Sequence, residues 1–383
     1  MTAGSTRFEQ QLVDRYGPLL TKKQLAELLH RSEKGLEYTI AHPGESEFAA
    51  SLNTMKLRLG RLIYFRATDI AALLDGGPLM PIDLQSAFAT PPQRMDYVFG
   101  NLVAGTVGAL VAPGGTGKSF WALETAMAIA CDVEGGDLIN AAPAKTGSVV
   151  YLALEDSEQV LAHRIYAIGQ NIRARCLKPT DASRALEAIA RNLKIEPMMG
   201  KRLDLMTDQG MQTVSNVSVS PRLIILDTVS RAHQLDENSN RDMSLLVSRM
   251  EELAVTTGAA VLFIHHVSKA SRRDGTLDQY SSRGASALID NARWCGYLAQ
   301  MTEDEAKLLI DGQDGIKTLT GLHRQYVCFG ENKLNYGPST FQQRWYERVE
   351  NGVLLPASIS EVKSRPSIRS SRKGRESANA SSL

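Results

Sequence analysis

Between residues 95 and 356 the apolar positions follow two alternating rhythms. Near-continuous apolar runs at 107–111, 148–154 (opening on Ser148), 223–226, 260–264, 294–298 and 326–329 have strand length, and their continuity predicts burial on both faces of a sheet. Apolar residues spaced three and four apart predict helices over 118–131, 157–170 and 241–257. In the last of these, Leu245, Leu246 and Met250 form an apolar face and Glu251 and Glu252 a solvated back. Strands and helices in alternation predict an α/β fold with a mostly parallel sheet covered by helices.

A smaller unit precedes it over residues 18–76. Thr21 is placed to cap a helix carrying Leu25, Leu28 and Leu29, and Ser32 to cap a second running to about Ile40. After Pro43-Gly44, residues 56–66 alternate charged and apolar side chains as a hairpin does, and Thr68-Asp69 opens a last short helix ending at Asp75-Gly76. Helix, turn, helix and hairpin in this order resemble the winged helix-turn-helix modules of the excisionase and prophage-regulator kind. The resemblance implies that residues 32–40 enter a DNA groove and that Lys56, Arg58, Arg61 and Arg66 meet phosphates. An interaction module whose charges form a solvated sheet face has the same pattern.

The flanking segments read as irregular. Residues 1–17 are an N-terminal tail, and Gly76, Gly77, Pro78, Pro81, Pro91 and Pro92 make 77–94 a linker. Residues 357–383 are rich in serine, carry Lys363, Arg365, Arg369, Arg372, Lys373 and Arg375, and have almost no large apolar residues, which predicts a disordered basic tail. The 383 residues exceed one ordinary domain, and 43% hydrophobic with 22% charged residues is a globular composition. A net charge of +1, from 43 basic and 42 acidic residues, excludes a chain-wide field for polyanions, so any nucleic-acid contact is local. The cysteines at 131, 176, 295 and 328 form no CxxC pair, which argues against a zinc site or disulfide framework. With no apolar run of membrane-spanning length and no signal sequence, a cytoplasmic protein is expected, with no membrane partner.

The strongest chemical signal is Ala112-Pro113-Gly114-Gly115-Thr116-Gly117-Lys118-Ser119, lying between a predicted strand and a predicted helix that continues through Phe120. Glycines let successive backbone N–H groups turn toward a phosphate, and the helix N-terminus adds partial positive charge. Lys118 is placed to bridge β- and γ-phosphates and Ser119 to hold Mg²⁺. Ala112 stands where the usual pattern begins with glycine. The run 223–226 delivers Asp227 as a second metal-shell group, and Thr228 follows it where a glutamate would serve as base. Glu155, ending the run 148–154, is the candidate base, with its strand expected beside that of the phosphate loop. His265-His266 ends another run, and alternation along a strand sends the two rings to opposite faces, so one metal does not take both. His266 is favoured as a γ-phosphate sensor.

In this order, residues from Met95 to Pro356 resemble the hexameric replicative helicases of the plasmid RepA kind, within the RecA-core P-loop ATPases. The resemblance rests on Asp96-Tyr97-Val98, the phosphate loop with Ala104 to Val111, Tyr151-Leu152 with Glu155-Asp156, Leu226-Asp227-Thr228, His265-His266 with Ser268-Lys269, Ser282-Arg283-Gly284, Asp290-Asn291 with Arg293-Trp294, and Asn335-Tyr336-Gly337. It implies a RecA-like P-loop core, a homohexameric ring with ATP between neighbours, Arg293 reaching a neighbour's γ-phosphate with Lys333 as a second candidate, and Arg164 as a nucleotide contact. It further implies that Lys269, Arg272 and Arg273, in a segment without apolar rhythm, line a channel for single-stranded DNA, where six copies multiply the charge. The expected function is an ATP- and Mg²⁺-dependent replicative DNA helicase of plasmids or mobile elements, with residues 18–76 on origin DNA. Two alternatives stay open, a RecA-like recombination or regulatory ATPase without unwinding and a DNA-binding regulator with an ATP-gated oligomerisation domain.

Overall fold

The computed structural model describes residues 7–29, 31–42, 47–60, 62–74, 84–92, 94–267, 286–312, 317–336 and 343–361. The chain divides into two compact units, residues 1–93 and 94–383.

In the first unit the elements run α1 (Arg7–Tyr16), β1 (Leu19–Thr21), α2 (Lys22–Leu28), α3 (Glu33–Ala41), α4 (Glu47–Thr54), β2 (Leu57–Leu59), β3 (Leu62–Arg66), α5 (Ala67–Leu74) and α6 (Leu84–Ala89). Thr21 and Gln24 form a reciprocal capping box at the start of α2, and the Ser32 hydroxyl accepts the Gly35 N–H at the start of α3. Strands β1 and β2 both pair antiparallel with β3. Leu20, Leu25, Leu36, Leu52, Phe65 and Ile70 are fully buried among these elements. The expected N-terminal tail contains a helix over Arg7–Tyr16, and residues 1–6 lie outside the described residues. Helix α1 packs on α5 and buries Leu12, because Leu12 and Tyr16 share one face at helical spacing. The linker also holds a helix, α6, since residues 82–90 between its prolines contain none. Leu84 and Phe88 of α6 are exposed.

The second unit opens with a β4 (Tyr97–Phe99) and β5 (Leu102–Val103) ribbon. It continues through β6 (Val107–Ala112), α7 (Lys118–Ala130), β7 (Val149–Ala153), α8 (Glu158–Arg175), α9 (Pro179–Asn192), β8 (Leu193–Pro197), α10 (Asp208–Ser215), β9 (Leu223–Asp227), α11 (Asn240–Thr257) and β10 (Ala260–His266). It ends with α12 (Ser286–Asn291), β11 (Trp294–Gln300), α13 (Glu303–Leu308), β12 (Leu309–Asp311), β13 (Lys317–Thr318), β14 (Tyr326–Leu334), β15 (Arg344–Arg348), β16 (Leu354–Ala357) and β17 (Ile359–Glu361). Among the described residues, nine strands form one sheet in the order β16-β15-β14-β11-β6-β10-β9-β7-β8. The six from β11 to β8 are parallel to their neighbours, and β14, β15 and β16 add an antiparallel edge. This is the RecA-like P-loop architecture.

The continuous apolar runs are explained by two cores, one on each face. Leu110 and Ala112 of β6 and Leu223 and Ile225 of β9 point into one, while Val107, Ala109, Val111, Ile224 and Leu226 point into the other. Leu246 and Met250 of α11 are buried as expected, whereas Leu245 is exposed. Two expectations need correction. Strand β7 is not beside β6, because β10 and β9 lie between them. Residues 357–361 are ordered, with β17 pairing antiparallel with β12; the rest of the expected tail lies outside the described residues. Among the described residues, no helix is long and apolar enough to cross a membrane.

Candidate active site

At the carboxyl edge of the parallel strands, the turn from β6 into α7 borders a cleft of about 320 Å³. Gly115, Gly117, Lys118, Ser119, Phe120, Glu155, Asp156, Arg164, Asp227, His266, Arg348 and Gly352 line it. Ligands of parallel α/β sheets gather at this edge, where helices begin. Gly117 has φ of 104° and caps α7 without a side-chain bond, so the first-turn N–H groups of α7 have no side-chain cap. A Cβ on Gly117 would also come within 3.2 Å of the Arg348 guanidinium.

Lys118 is the best-enclosed cation of the cleft. Its ammonium donates to the carbonyls of Ala112 and Pro113 at 2.9 Å each and lies 3.1 Å from Nδ1 of His266. Burial pulls its pKa down to about 8, against the opposing pull of Asp227 and Glu155. Pro113 also accepts from the Thr116 hydroxyl at 2.7 Å, and Gly114 completes the turn.

Asp227 lies at the end of β9, almost fully buried, and burial raises its carboxyl above the usual range while donors oppose the rise. One donor is the phenol of Tyr151, at 2.5 Å; another is Ser119. A carboxylate and a hydroxyl side by side are a hard-oxygen pair for a small divalent cation such as Mg²⁺. Glu155 enters the cleft from the loop after β7. Its Oε1 accepts the Thr228 hydroxyl at 2.8 Å and lies 3.9 Å from Nε of Arg231, and its Oε2 lies 3.7 Å from Nε2 of His266. Thr228, in the position where a glutamate would serve as base, therefore orients the glutamate of another strand. His266 faces the cleft, and His265 is buried on the opposite side with its pKa pulled down to about 4, chiefly by burial.

Arg164 forms a two-bond ion pair with Asp156, and its guanidinium lies 5.5 Å from the Phe120 ring. Arg293 and Lys333 are not in this cleft. Arg293 pairs with Glu251 at 3.7 Å, and Lys333 donates to the carbonyls of Ile289 and Asp290 at the end of α12. Lys269, Arg272 and Arg273 lie outside the described residues. Arg348, Tyr151, Asp156 and Gly352 were not singled out as site residues from the sequence. Arg348 donates to the carbonyls of Gly115 at 3.2 Å and Thr116 at 2.6 Å, and Gly352 leaves room for Phe120, which a Cβ there would approach to 2.7 Å. Asp156 and Arg164 are only eight residues apart, whereas Arg348 lies 233 residues from Gly115 in the loop it touches.

Residues 77–272, just over half of the chain, match the AAA domain family, and they contain the phosphate loop, Glu155, Asp227 and His266. The chain belongs to the AAA domain family. This AAA domain core is similar in fold to a solved DnaB-like replicative helicase, described with its interactions with primase, at 14% identity and a TM-score of 0.50 over 92% of this chain and 80% of that one. Other similar structures are a RadB recombinase (14% identity, 66% and 91% of the two chains, TM-score 0.39) and a KaiC-like protein from Pyrococcus horikoshii (14%, 69% and 99%, 0.42). The AAA domain and its geometry make the chain a P-loop ATPase, with a cleft whose cations and uncapped helix end fit a phosphate chain.

Proposed function

We propose that the chain is an ATP-dependent DNA helicase that works as a ring of six subunits and translocates on single-stranded DNA in plasmid or mobile-element replication. One observation supports this reading above others. Strand β10 ends at His266, which touches both Lys118 and the Glu155 side of the cleft, and Lys269, Arg272 and Arg273 follow within seven residues. A change at the γ-phosphate thus has a direct covalent route to a cation-rich segment.

In this mechanism Lys118 and the α7 N-terminus bind the phosphates of ATP. Mg²⁺, when bound, neutralises charge on the phosphoryl oxygens, and Ser119 and Asp227 are the residues that would hold it. Glu155, oriented by Thr228, accepts a proton from the attacking water at Oε1 or Oε2. His266 follows the γ-phosphate. Arg293, outside its own cleft, is assigned to the neighbour's transition state, where a guanidinium contributes several orders of magnitude.

For the first unit, α2, α3 and the β2–β3 hairpin support a winged helix-turn-helix role on origin duplex, with Arg58 and Arg66 exposed on the hairpin. The decisive assay is unwinding of a forked duplex by Lys118→Ala alongside wild type. Loss of both hydrolysis and unwinding is expected, and normal unwinding by the variant refutes the motor. Native mass measurement distinguishes a six-subunit ring from a filament or a monomeric regulator.

A further inference from the structure

Glu155 also belongs to the wall of a second cleft, of about 750 Å³, formed by the loop after β8 and the turn after β9. Lys201, Arg202 and Arg231 line it, and Glu155 is the sole carboxylate in that wall among the described residues. No carboxylate pairs with Lys201 or Arg202 among those residues, while Arg231 reaches Glu155 at 3.9 Å with its own side chain largely exposed. His233, 9% exposed, lines the same cleft. Its Nδ1 accepts the Leu235 N–H at 3.1 Å, so in the neutral ring the proton sits on Nε2. Burial keeps the ring's pKa below its ordinary value, and Nε2 has no hydrogen-bond partner. A buried N–H without an acceptor has lost its water and gained nothing in exchange, so it favours any acceptor that reaches it. Arg202 donates to Oε1 of Gln234 at 2.6 Å and Arg231 faces Glu155, so Lys201, the remaining N–H groups of these two guanidiniums and the unsatisfied His233 donor form a donor-rich wall that is complementary to oxyanions.

We propose that this cleft is a subsite for a phosphate oxyanion, and that its occupant draws Arg231 away from Glu155. The ligand is either a phosphodiester of a bound single strand or inorganic phosphate, since both present the same oxygens. With Arg231 engaged by the anion, Oε1 of Glu155 keeps the Thr228 hydroxyl and loses the guanidinium, which frees it to take the proton from water. Filling the cleft therefore accelerates hydrolysis. This consequence rests on Glu155 as the base, whereas anion binding itself does not.

The test uses the full chain and two probes, a short fluorescein-labelled oligothymidylate followed by anisotropy and inorganic phosphate followed by calorimetry. Lys201→Ala/Arg202→Ala is expected to weaken at least one probe about tenfold. For the oligonucleotide, the slope of log affinity against log salt should fall by about 1.4, at ~0.7 per lost phosphate contact on a single strand. Arg231→Ala is expected to raise unstimulated ATP hydrolysis severalfold and to erase the response to that probe, with Arg231→Lys keeping the response and showing that the fold is intact. The subsite is overturned if both probes bind the double variant as tightly as wild type, or if Arg231→Ala keeps the wild-type ratio of stimulated to basal rate. A response to phosphate alone upholds the subsite and removes its support from strand translocation. Should Glu155→Gln still hydrolyse ATP, the base assignment fails while the binding result stands.

Discussion

Arg348→Ala removes a clamp that crosses from the antiparallel edge of the sheet to the phosphate loop. The guanidinium donates to Thr116 at 2.6 Å and to Gly115 at 3.2 Å, and these two carbonyls set the turn that aims the loop's N–H groups. A hydrogen bond from a charged donor contributes ~1.5–3 kcal/mol, and the longer second bond less. Arg348 is half-buried and Gly115 is exposed, so water replaces part of what is lost, and about 2 kcal/mol is a fair net figure. At 1.4 kcal/mol per decade this weakens nucleotide binding ~30-fold. Titration with a fluorescent ATP analogue measures it directly, and steady-state kinetics should show the loss mainly in KM, because the clamp shapes the loop before and during reaction alike. Arg348→Lys keeps the charge without the planar fork and should recover part of the affinity. A Kd within threefold of wild type, in a variant with an unchanged melting profile, refutes the clamp.

Two further outcomes follow from buried titratable groups. Lys118 has its pKa lowered to about 8, so in the free enzyme the ammonium is lost as pH rises through that value; kcat/KM for ATP should fall above pH ~8, while kcat, which reports the phosphate-bound state, should hold to higher pH. A flat kcat/KM between pH 7 and ~9.5 contradicts this. Glu124 of α7, 1% exposed, accepts the Leu354 N–H at 2.9 Å through Oε1 and leaves Oε2 without a partner, and burial pushes its carboxyl well above the ordinary range. A raised folded pKa means its contribution is complete below the unfolded value and is lost as pH rises through the folded one. Glu124→Gln should therefore melt within a few degrees of wild type at pH below the ordinary carboxylate range and gain on it as pH rises above that range; a pH-independent difference in Tm excludes a protonated Glu124.

Local chemistry was readable wherever the partners are close in sequence. The phosphate loop, the Thr21 and Ser32 caps and the opposed faces of His265 and His266 all depend on spacings of a few residues, which backbone geometry alone imposes. Helix α1 is equally local, but its own residues, Arg7–Tyr16, are polar enough on average to pass for a tail.

Long-range pairing had no such signal. An apolar run shows that a strand is buried on both faces, but its neighbours are chosen by helix crossovers and packing, which is how two strands came to separate β7 from β6. Tyr151 and Asp227 meet across 76 residues, and Arg348 reaches Gly115 across 233. The amino-acid order thus determined which groups can bind phosphate and metal, because that machinery is built on one turn of backbone. Which groups hold that turn and its glutamate in place, Arg348, Tyr151, Thr228 and Arg231, was decided only when nine strands closed into one sheet and brought distant side chains within hydrogen-bond reach.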